Sequence, residues 1–512
     1  MLLDGRIAFP VLGALLATRL ATQLGGLINH DTGWYLHSAA RFLDGGRLYD
    51  EIFVEVNPPL GLFLTLPPVA LSRLSGFFVV DLFVLYLYVL IGLSLAATWW
   101  LLRGAPDLPV SLRRGLVFAA AVILTVSPAD QFGQREHFMM VLALPYLILA
   151  ALRAAGVGTA WPLAALVGAA AVLGFGLKPH YLLVPLALEV YLLAARRNFR
   201  GFFRPETLAL AAGGALYLAA VAVFAPDYLS RIAPYAFEVY NEAYRNPLWI
   251  NLFRGETVLL PLACLAQLSI RRHQRTPAIA DVFLIASAVF FLAYLVQMKG
   301  WDYHLYPAST CLTLGFIAIF LNGLLSLGTG PSTRADGRAG PVLVFASLIA
   351  AFMPVAGDSL RGGYRNGFME VMTPHVERHA AGGSIAILTT NVWPGFPMVN
   401  YAGVGWSSRF PTLWPLPGAL RKQADAEAGE RERLMEIERY TRDAVVADFT
   451  RQPPDLVIVD NREEKSYFGD LPFDYLAYFT EDPRFAAIWA GYEWVADEGD
   501  YRLYRRRCAP AC

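Results

Sequence analysis

Long apolar stretches separated by short polar connections fill residues 1–356, and the pattern changes abruptly after that. Runs near 7–24, 77–101, 112–128, 137–153, 160–177, 180–195, 207–225, 255–270, 279–298, 304–323 and 340–356 are of the order needed to cross a bilayer as a helix, about 17–25 residues. They predict a polytopic α-helical membrane protein of about eleven transmembrane helices, with 112–128 and 180–195 the shortest runs. Arginines fall on alternate connections: Arg103, Arg113 and Arg114, then Arg153, then Arg196, Arg197, Arg200 and Arg204, then Arg271, Arg272 and Arg275, and finally Arg334 and Arg338. Basic connections stay on the cytoplasmic side. The N-terminus is therefore expected inside, and everything after residue 356 outside. Pro58 to Leu74 is apolar but interrupted by Pro67–Pro68, and it is expected to lie along the membrane interface.

Residues 357–512 read as a separate, small α/β domain. Ser384–Leu388 and Asp455–Asp460 are continuous apolar runs of the kind found in buried parallel strands. A charged helical stretch over 421–447 lies between them, as in a strand–helix–strand crossover. Tyr492–Val495 and Tyr501–Arg505 flank Asp497-Glu-Gly-Asp500, a hairpin signal. Trp393–Pro394–Gly395 and Trp406–Ser407–Ser408–Arg409 have two readings, aromatic surfaces for sugar or packing against the membrane surface. The tail carries no glycine-rich phosphate loop, nucleophile elbow or metal-ligand spacing.

Composition sharpens the class. The 512 residues are 56% hydrophobic and only 16% charged, against about 25% charged in soluble domains. Lysine plus arginine and aspartate plus glutamate number 42 each, a balance that argues against nucleic-acid binding. Four cysteines are too few for a disulfide framework. Cys264 and Cys311 fall in apolar runs, while Cys508 and Cys512 either form a small disulfide outside the membrane or end a frayed tail. The first run, with Arg6 before it and Arg19 inside it, reads as a retained signal anchor. Abundant Ala, Leu and Arg point to a bacterial cytoplasmic membrane, with a periplasmic C-terminal domain.

Directly after the first run comes His30–Asp31–Thr32–Gly33–Trp34–Tyr35, followed by Ala39–Ala40, Gly45–Gly46–Arg47–Leu48–Tyr49 and Asn57–Pro58–Pro59–Leu60. Ionisable groups at membrane depth mark functional sites; a solvated loop with interfacial aromatics is the alternative. The spaced pattern resembles the first outer loop of the GT-C glycosyltransferases. Its nearest likeness is to the branch holding the lipid A aminoarabinose and galacturonosyl transferases and the protein O-mannosyltransferases. It covers about 24–68 well and extends loosely, through the helix layout, to about 356. The resemblance implies a GT-C-like catalytic domain over 1–356, with its first outer loop at 25–76, and a periplasmic domain over 357–512. It further implies that Asp31 is the general base, with transfer by inversion. A long outer loop such as 226–254 is implied to be mobile and to cover the site.

Moving a sugar from a lipid phosphate to a hydroxyl needs a base for the acceptor proton and cations where charge develops on the departing phosphate. The outward connections hold candidates. Glu136, in the polar run Asp130-Gln-Phe-Gly-Gln-Arg135-Glu136-His137, is the second acidic residue that the resemblance places near substrate, with Asp130 behind it; a helix-capping carboxylate is the alternative. Lys178 and His180, and Lys299 and His304, put a lysine and a histidine at the outer ends of two pairs of runs. These lysines bind phosphate as point charges or snorkel to headgroups. Arg19, Arg135, Tyr35 and Asn57 complete the substrate and phosphate candidates, with Asp81 a rival partner for Arg19. Glu189 reads as a buried structural group. A divalent metal between Asp31 and Glu136 stays open, since two carboxylates do not make a metal site.

The expected partners are a polyprenyl-phosphate-sugar donor, an acceptor on lipid, glycan or protein, and the membrane itself. A ligase or polymerase of lipid-linked oligosaccharides shares this geometry. A transporter or flippase of lipid-linked glycan is the alternative outside enzymes, but no internal repeat of runs is visible.

Overall fold

The computed structural model describes residues 5–105, 107–197, 203–273, 278–327 and 364–507. Its longer helices in chain order are α1 (Gly5–Leu24), α2 (His30–Leu43), α3 (Leu60–Ser75), α4 (Val79–Arg103), α5 (Val110–Thr125), α6 (Arg135–Ala155), α7 (Trp161–Phe175) and α8 (Leu183–Arg196). They continue with α9 (Pro205–Phe224), α10 (Gly255–His273), α11 (Ala278–Gln297), α12 (Asp302–Leu327), α13 (Gly367–Ala380), α14 (Pro415–Gln423) and α15 (Ala428–Arg451). The strands are β1 (Ser384–Leu388), β2 (Gly405–Trp406), β3 (Leu456–Asp460), β4 (Tyr492–Glu498) and β5 (Tyr501–Arg506).

Every apolar run up to 304–323 coincides with one of these helices, α1 or α4 to α12. The run 340–356 and the Cys508–Cys512 pair lie outside the described residues. Among the described residues, α4, α6, α9, α11 and Asp302–Gly323 of α12 are long and apolar enough to cross a membrane. The five fall short of the eleven expected from the runs, and length is one reason. Helices α5, α7 and α8 have 16, 15 and 14 residues, short of a hydrocarbon core about 30 Å thick at 1.5 Å per residue.

The chain divides into two compact units. The first is made of Met1–Leu27, Ser75–Ala219 and Asn246–Tyr364. Its innermost helix is α6, buried on almost every side from Arg135 to Leu152. Charged groups at helix ends are paired within this unit. Arg153 bonds Glu206 at 2.7 Å, and Glu189 takes Arg204 at 2.5 Å and the Thr207 hydroxyl at 3.0 Å, the structural role expected of it. Asp281 accepts from Gln267 and Tyr191 at 2.9 Å and pairs with Arg271 at 3.1 Å. Unpaired, such groups are too costly to bury.

The second unit combines Ile28–Leu74, Ala220–Arg245 and Arg365–Cys512. The first loop, Ile28–Leu74, therefore packs with the tail. Its five-stranded sheet has the order β2-β1-β3-β5-β4. β1 and β3 are parallel, with Ile385 opposite Leu456, and the β4–β5 hairpin adds antiparallel to β3. The strands and hairpin expected from the sequence are thus present, and β2, only two residues long, is an addition. The charged stretch between β1 and β3 is two helices, α14 and α15, not one. Ala386, Leu388, Val457 and Val459 of the sheet share a core with Val445 and Phe449 of α15 and with Phe468, Tyr475, Phe479 and Phe485.

Backbone and side-chain hydrogen bonds fasten the first loop to this core. The Val54 amide donates to the Arg409 carbonyl at 2.8 Å, and Trp414 Nε1 donates to the Val54 carbonyl at 3.0 Å. Arg41 reaches the Ser408 carbonyl at 2.8 Å, and Asn400 Nδ2 the Gly33 carbonyl at 3.1 Å. Gly33 is required for that approach: a Cβ there would sit 2.7 Å from Asn400 Oδ1 and 3.1 Å from the Pro397 Cα. Gly33→Val is expected to lower the melting temperature of purified protein and to reduce activity with it, because α2 must move off the tail. An unchanged melting curve would mean that this contact is dispensable.

Candidate functional site

Two polar clusters form, one in each unit. In the first unit, Glu136 sits in the opening turn of α6, where a carboxylate is favoured by the helix dipole. Its Oε1 accepts from Lys178 Nζ at 2.5 Å and from the Tyr181 hydroxyl at 2.9 Å. Lys178 Nζ also contacts His304 Nε2 at 2.9 Å and lies 5.4 Å from the centre of the Tyr303 ring. An ammonium only donates, so His304 Nε2 accepts and the ring proton is on Nδ1. Glu136 Oε2 and His304 Nδ1 are buried without a hydrogen-bond partner among the described residues. One acceptor and one donor are left open beside a satisfied ion pair.

The other lysine is held by its backbone. Asn246 Nδ2 donates to the Lys299 carbonyl at 2.6 Å, and Arg254 spans from the Gly300 carbonyl at 2.5 Å to Asp302 at 2.8 Å. Met298 and Gly300 take positive φ of 54° and 68° to make this turn. The Lys299 ammonium lies 5.3 Å from the centre of the Trp301 ring. Burial, reinforced by the Lys178 charge, pushes the Lys299 ammonium well below the usual lysine range. Arg135, also buried, stands within electrostatic reach of His304, as do both lysines.

Five of the expected residues (Arg135, Glu136, Lys178, Lys299 and His304) thus fall in one cluster, although Lys178 and His304 are 126 positions apart. His180 stacks edge-on against Tyr181 at 4.7 Å. Arg19 directs Nε and Nη2 to the Thr125 and Ala129 carbonyls at 3.4 Å, closing the end of α5. His137 is structural: its Nδ1 accepts from the Gly133 amide at 3.1 Å and its Nε2 lies 2.7 Å from the Leu124 carbonyl. Tyr181 is the residue missing from the expected set. Its phenol donates to Glu136 at 2.9 Å, and the signal that could have found it is its place directly after Lys178-Pro179-His180.

In the second unit, Asp31 occupies the first turn of α2. The Asn29 side chain caps that helix by accepting from the Asp31 amide at 3.0 Å. The Asp31 carboxylate is 3.7 Å from His30 Nε2, and both side chains are partly open to solvent. Tyr35 is buried, with its ring edge-on to Phe53 at 5.2 Å. Asn57 donates to Glu55 at 2.7 Å, and its carbonyl accepts from the Tyr49 hydroxyl at 2.8 Å. Trp406, read from sequence as facing either sugar or the membrane surface, is buried with its Nε1 on the Phe410 carbonyl at 2.9 Å, while Arg409 is clasped by Asp448 at 3.0 Å. The 406–409 stretch is therefore internal structure.

His37, nearly two turns after Asp31 in α2, is half-buried beside Phe396, with ring centres 5.7 Å apart. Burial, helped by the Arg41 charge, lowers its pKa to about 3. Below about pH 6.5 the unfolded chain protonates this histidine while the folded chain does not. Stability is therefore lost as pH falls from that value toward 3. His37→Phe is expected to flatten this part of the profile of unfolding free energy against pH, by about a few kcal/mol at its acid end. An unaltered slope would place the acid sensitivity elsewhere.

Among the described residues no group of three or more His, Cys, Asp and Glu side chains gathers to hold a metal ion. Glu136 Oε1 already faces an ammonium, a poor neighbour for a divalent cation.

No protein-family model matches the chain, and no curated protein matches it. Solved structures do. ArnT from Cupriavidus metallidurans bound to undecaprenyl phosphate superposes with a TM-score of 0.51 at 12% identity, over 97% of each chain. The same protein in the apo state gives 0.51 at 13%, again over 97% of both chains. The oligosaccharyltransferase of Archaeoglobus fulgidus gives 0.43 at 12%, over 89% of this chain and 70% of its own. The chain therefore shares the fold of ArnT along nearly its whole length.

Proposed function

We propose that this chain is a membrane glycosyltransferase that moves a sugar from a polyprenyl-phosphate donor to a hydroxyl on a lipid, glycan or protein acceptor. The observation that carries the reading is the fold shared with ArnT along nearly the whole of both chains; the ArnT structure itself holds undecaprenyl phosphate. Asp31 acts as the general base: it is partly open and sits on a capped, braced helix turn. It takes the acceptor proton while the acceptor oxygen bonds to the anomeric carbon. The bond from that carbon to the phosphate oxygen breaks, and the polyprenyl phosphate leaves with the electron pair. A single displacement inverts the anomeric centre.

Lys299 and Arg135, with Lys178, supply positive charge for the departing phosphate. Burial depresses the Lys299 ammonium, and an arriving anion restores its charge, so binding energy is concentrated on the phosphate. Glu136 holds Lys178 in place and, with His304, offers an open acceptor and an open donor to polar groups of the donor substrate. In this reading the catalytic face is on the outer side of a bacterial cytoplasmic membrane, with the N-terminus inside and the tail periplasmic. The test is donor discharge. Purified protein given labelled undecaprenyl-phosphate sugars and a membrane lipid extract moves label into the extract; a folded but inert protein would remove the reading.

A further inference from the structure

Glu136 and His304 of the first unit are almost completely buried, with exposures of 1% and 4%. Both are joined through Lys178, whose ammonium bonds Glu136 Oε1 at 2.5 Å and His304 Nε2 at 2.9 Å. The bridge uses one atom of each group. The other atoms, Glu136 Oε2 and His304 Nδ1, have no hydrogen-bond partner among the described residues. Buried polar atoms in folded proteins are paired, and one left open needs a reason. Two that flank the same ammonium point to a shared one.

The bridge fixes the character of both atoms. Lys178 and the Tyr181 hydroxyl donate to Oε1, so the carboxylate is held ionised and Oε2 is an acceptor. An ammonium has no lone pair, so His304 Nε2 accepts and the ring is neutral with its proton on Nδ1, a donor. The imidazole is also held in place: Tyr303 meets it edge-on at 4.3 Å, and the Trp301 ring centre lies at 5.3 Å. A phosphate or carboxylate oxygen would take the Nδ1 proton, but it offers nothing to Oε2 and sets like charges together. An ammonium would serve Oε2, but it leaves Nδ1 without an acceptor and meets a carboxylate already neutralised by Lys178. A hydroxyl both donates and accepts. Alone or as two neighbours on one ring, hydroxyls satisfy both atoms and add no charge to a buried place.

We propose that Glu136 Oε2 and His304 Nδ1 bind hydroxyls of the transferred sugar, and so select an uncharged sugar over an amino sugar or a uronic acid. This rests on the glycosyltransferase reading and adds to it the class of donor. The cluster is then divided by task. Lys299 and Arg135 supply charge for the phosphate, while the Glu136–Lys178 pair, neutral as a unit, and the neutral His304 read the sugar. Lys178 acts as the positioning residue that holds both readers.

The experiment compares full-length wild type and His304→Gln in detergent, with a membrane lipid extract as acceptor. The donors are undecaprenyl-phosphate sugars in matched sets built on glucose, galactose, mannose and arabinose. Each set holds the neutral sugar, a derivative with one hydroxyl replaced by an amine and, for the hexoses, the uronic acid. Wild type is expected to use the neutral member of one set with kcat/KM about 100-fold or more above its charged members, because a buried site built for a hydroxyl rejects a group it cannot pair. Glutamine keeps an amide oxygen for Lys178 in place of Nε2 but has no counterpart of Nδ1. His304→Gln is expected to lower kcat/KM for the neutral donor about 10- to 100-fold, the effect of one unpaired buried group. Its melting temperature and its affinity for undecaprenyl phosphate, which carries no sugar, should match wild type. An amino or uronic donor used as well as the neutral one would overturn the proposal, and this preference is read without any variant. Unchanged kcat/KM in His304→Gln would overturn it too, as would an equal loss in undecaprenyl phosphate affinity. A folded wild type inert on every donor would instead remove the glycosyltransferase reading, and this inference with it.

Discussion

Asp31→Asn is expected to lower transfer by about 10³-fold, within the range for removal of a general base, while the protein still inserts and melts as wild type does. The substitution keeps the shape of the side chain and its place beside His30. It leaves the Asn29 cap intact, because that bond is made by the Asp31 backbone amide. Folding is thus insulated from the change, and what remains is the missing carboxylate. Donor affinity, measured as undecaprenyl phosphate binding, should be unchanged, because the charge proposed to hold the phosphate lies in the other unit. Near-full turnover by this variant would show that Asp31 is not the base.

Lys178→Met carries the second large effect, on stability. The Lys178–Glu136 pair is almost completely buried, with side-chain exposures of 5% and 1%. Among the described residues, removing the ammonium leaves the buried Glu136 carboxylate one hydrogen-bond donor, the Tyr181 hydroxyl. Breaking one side of such a pair costs about 3–5 kcal/mol. The melting temperature should fall accordingly, and Lys178→Met combined with Glu136→Gln should recover most of the loss, because the uncompensated charge is gone. The coupling read from the double-mutant cycle isolates the pair from its surroundings. If the double variant were as unstable as the single one, Lys178 would be stabilising something other than Glu136.

The helices and the polar connections between them were legible in the sequence because bilayer thickness imposes a length and a composition on each run. Asp31, Glu136, Lys178, Lys299 and His304 could be picked out as ionisable groups at the ends of such runs. Which of them would meet was not legible. A run buried on almost every side does not say which face of α6 carries Glu136 toward Lys178, and residues 42 and 126 positions from Lys178 carry no mark of their pairing. The attachment of the first loop to the tail was also hidden. It depends on carbonyl and amide groups, as at Val54, Gly33 and Ser408, which every residue possesses. The tail strands, by contrast, announced themselves as short, wholly apolar runs, and only the two-residue β2 fell below that threshold.

The measurement that tests the central claim most directly is the fate of a doubly labelled donor. Undecaprenyl-phosphate sugars, labelled in the sugar and in the phosphate, would be offered one at a time to purified protein together with a membrane lipid extract. The account predicts that one of them loses its sugar label to the extract and its phosphate label to free undecaprenyl phosphate, in equal amounts, with wild type and not with Asp31→Asn. Donor that stays intact with every sugar tested, in the presence of folded protein and acceptor, would contradict it.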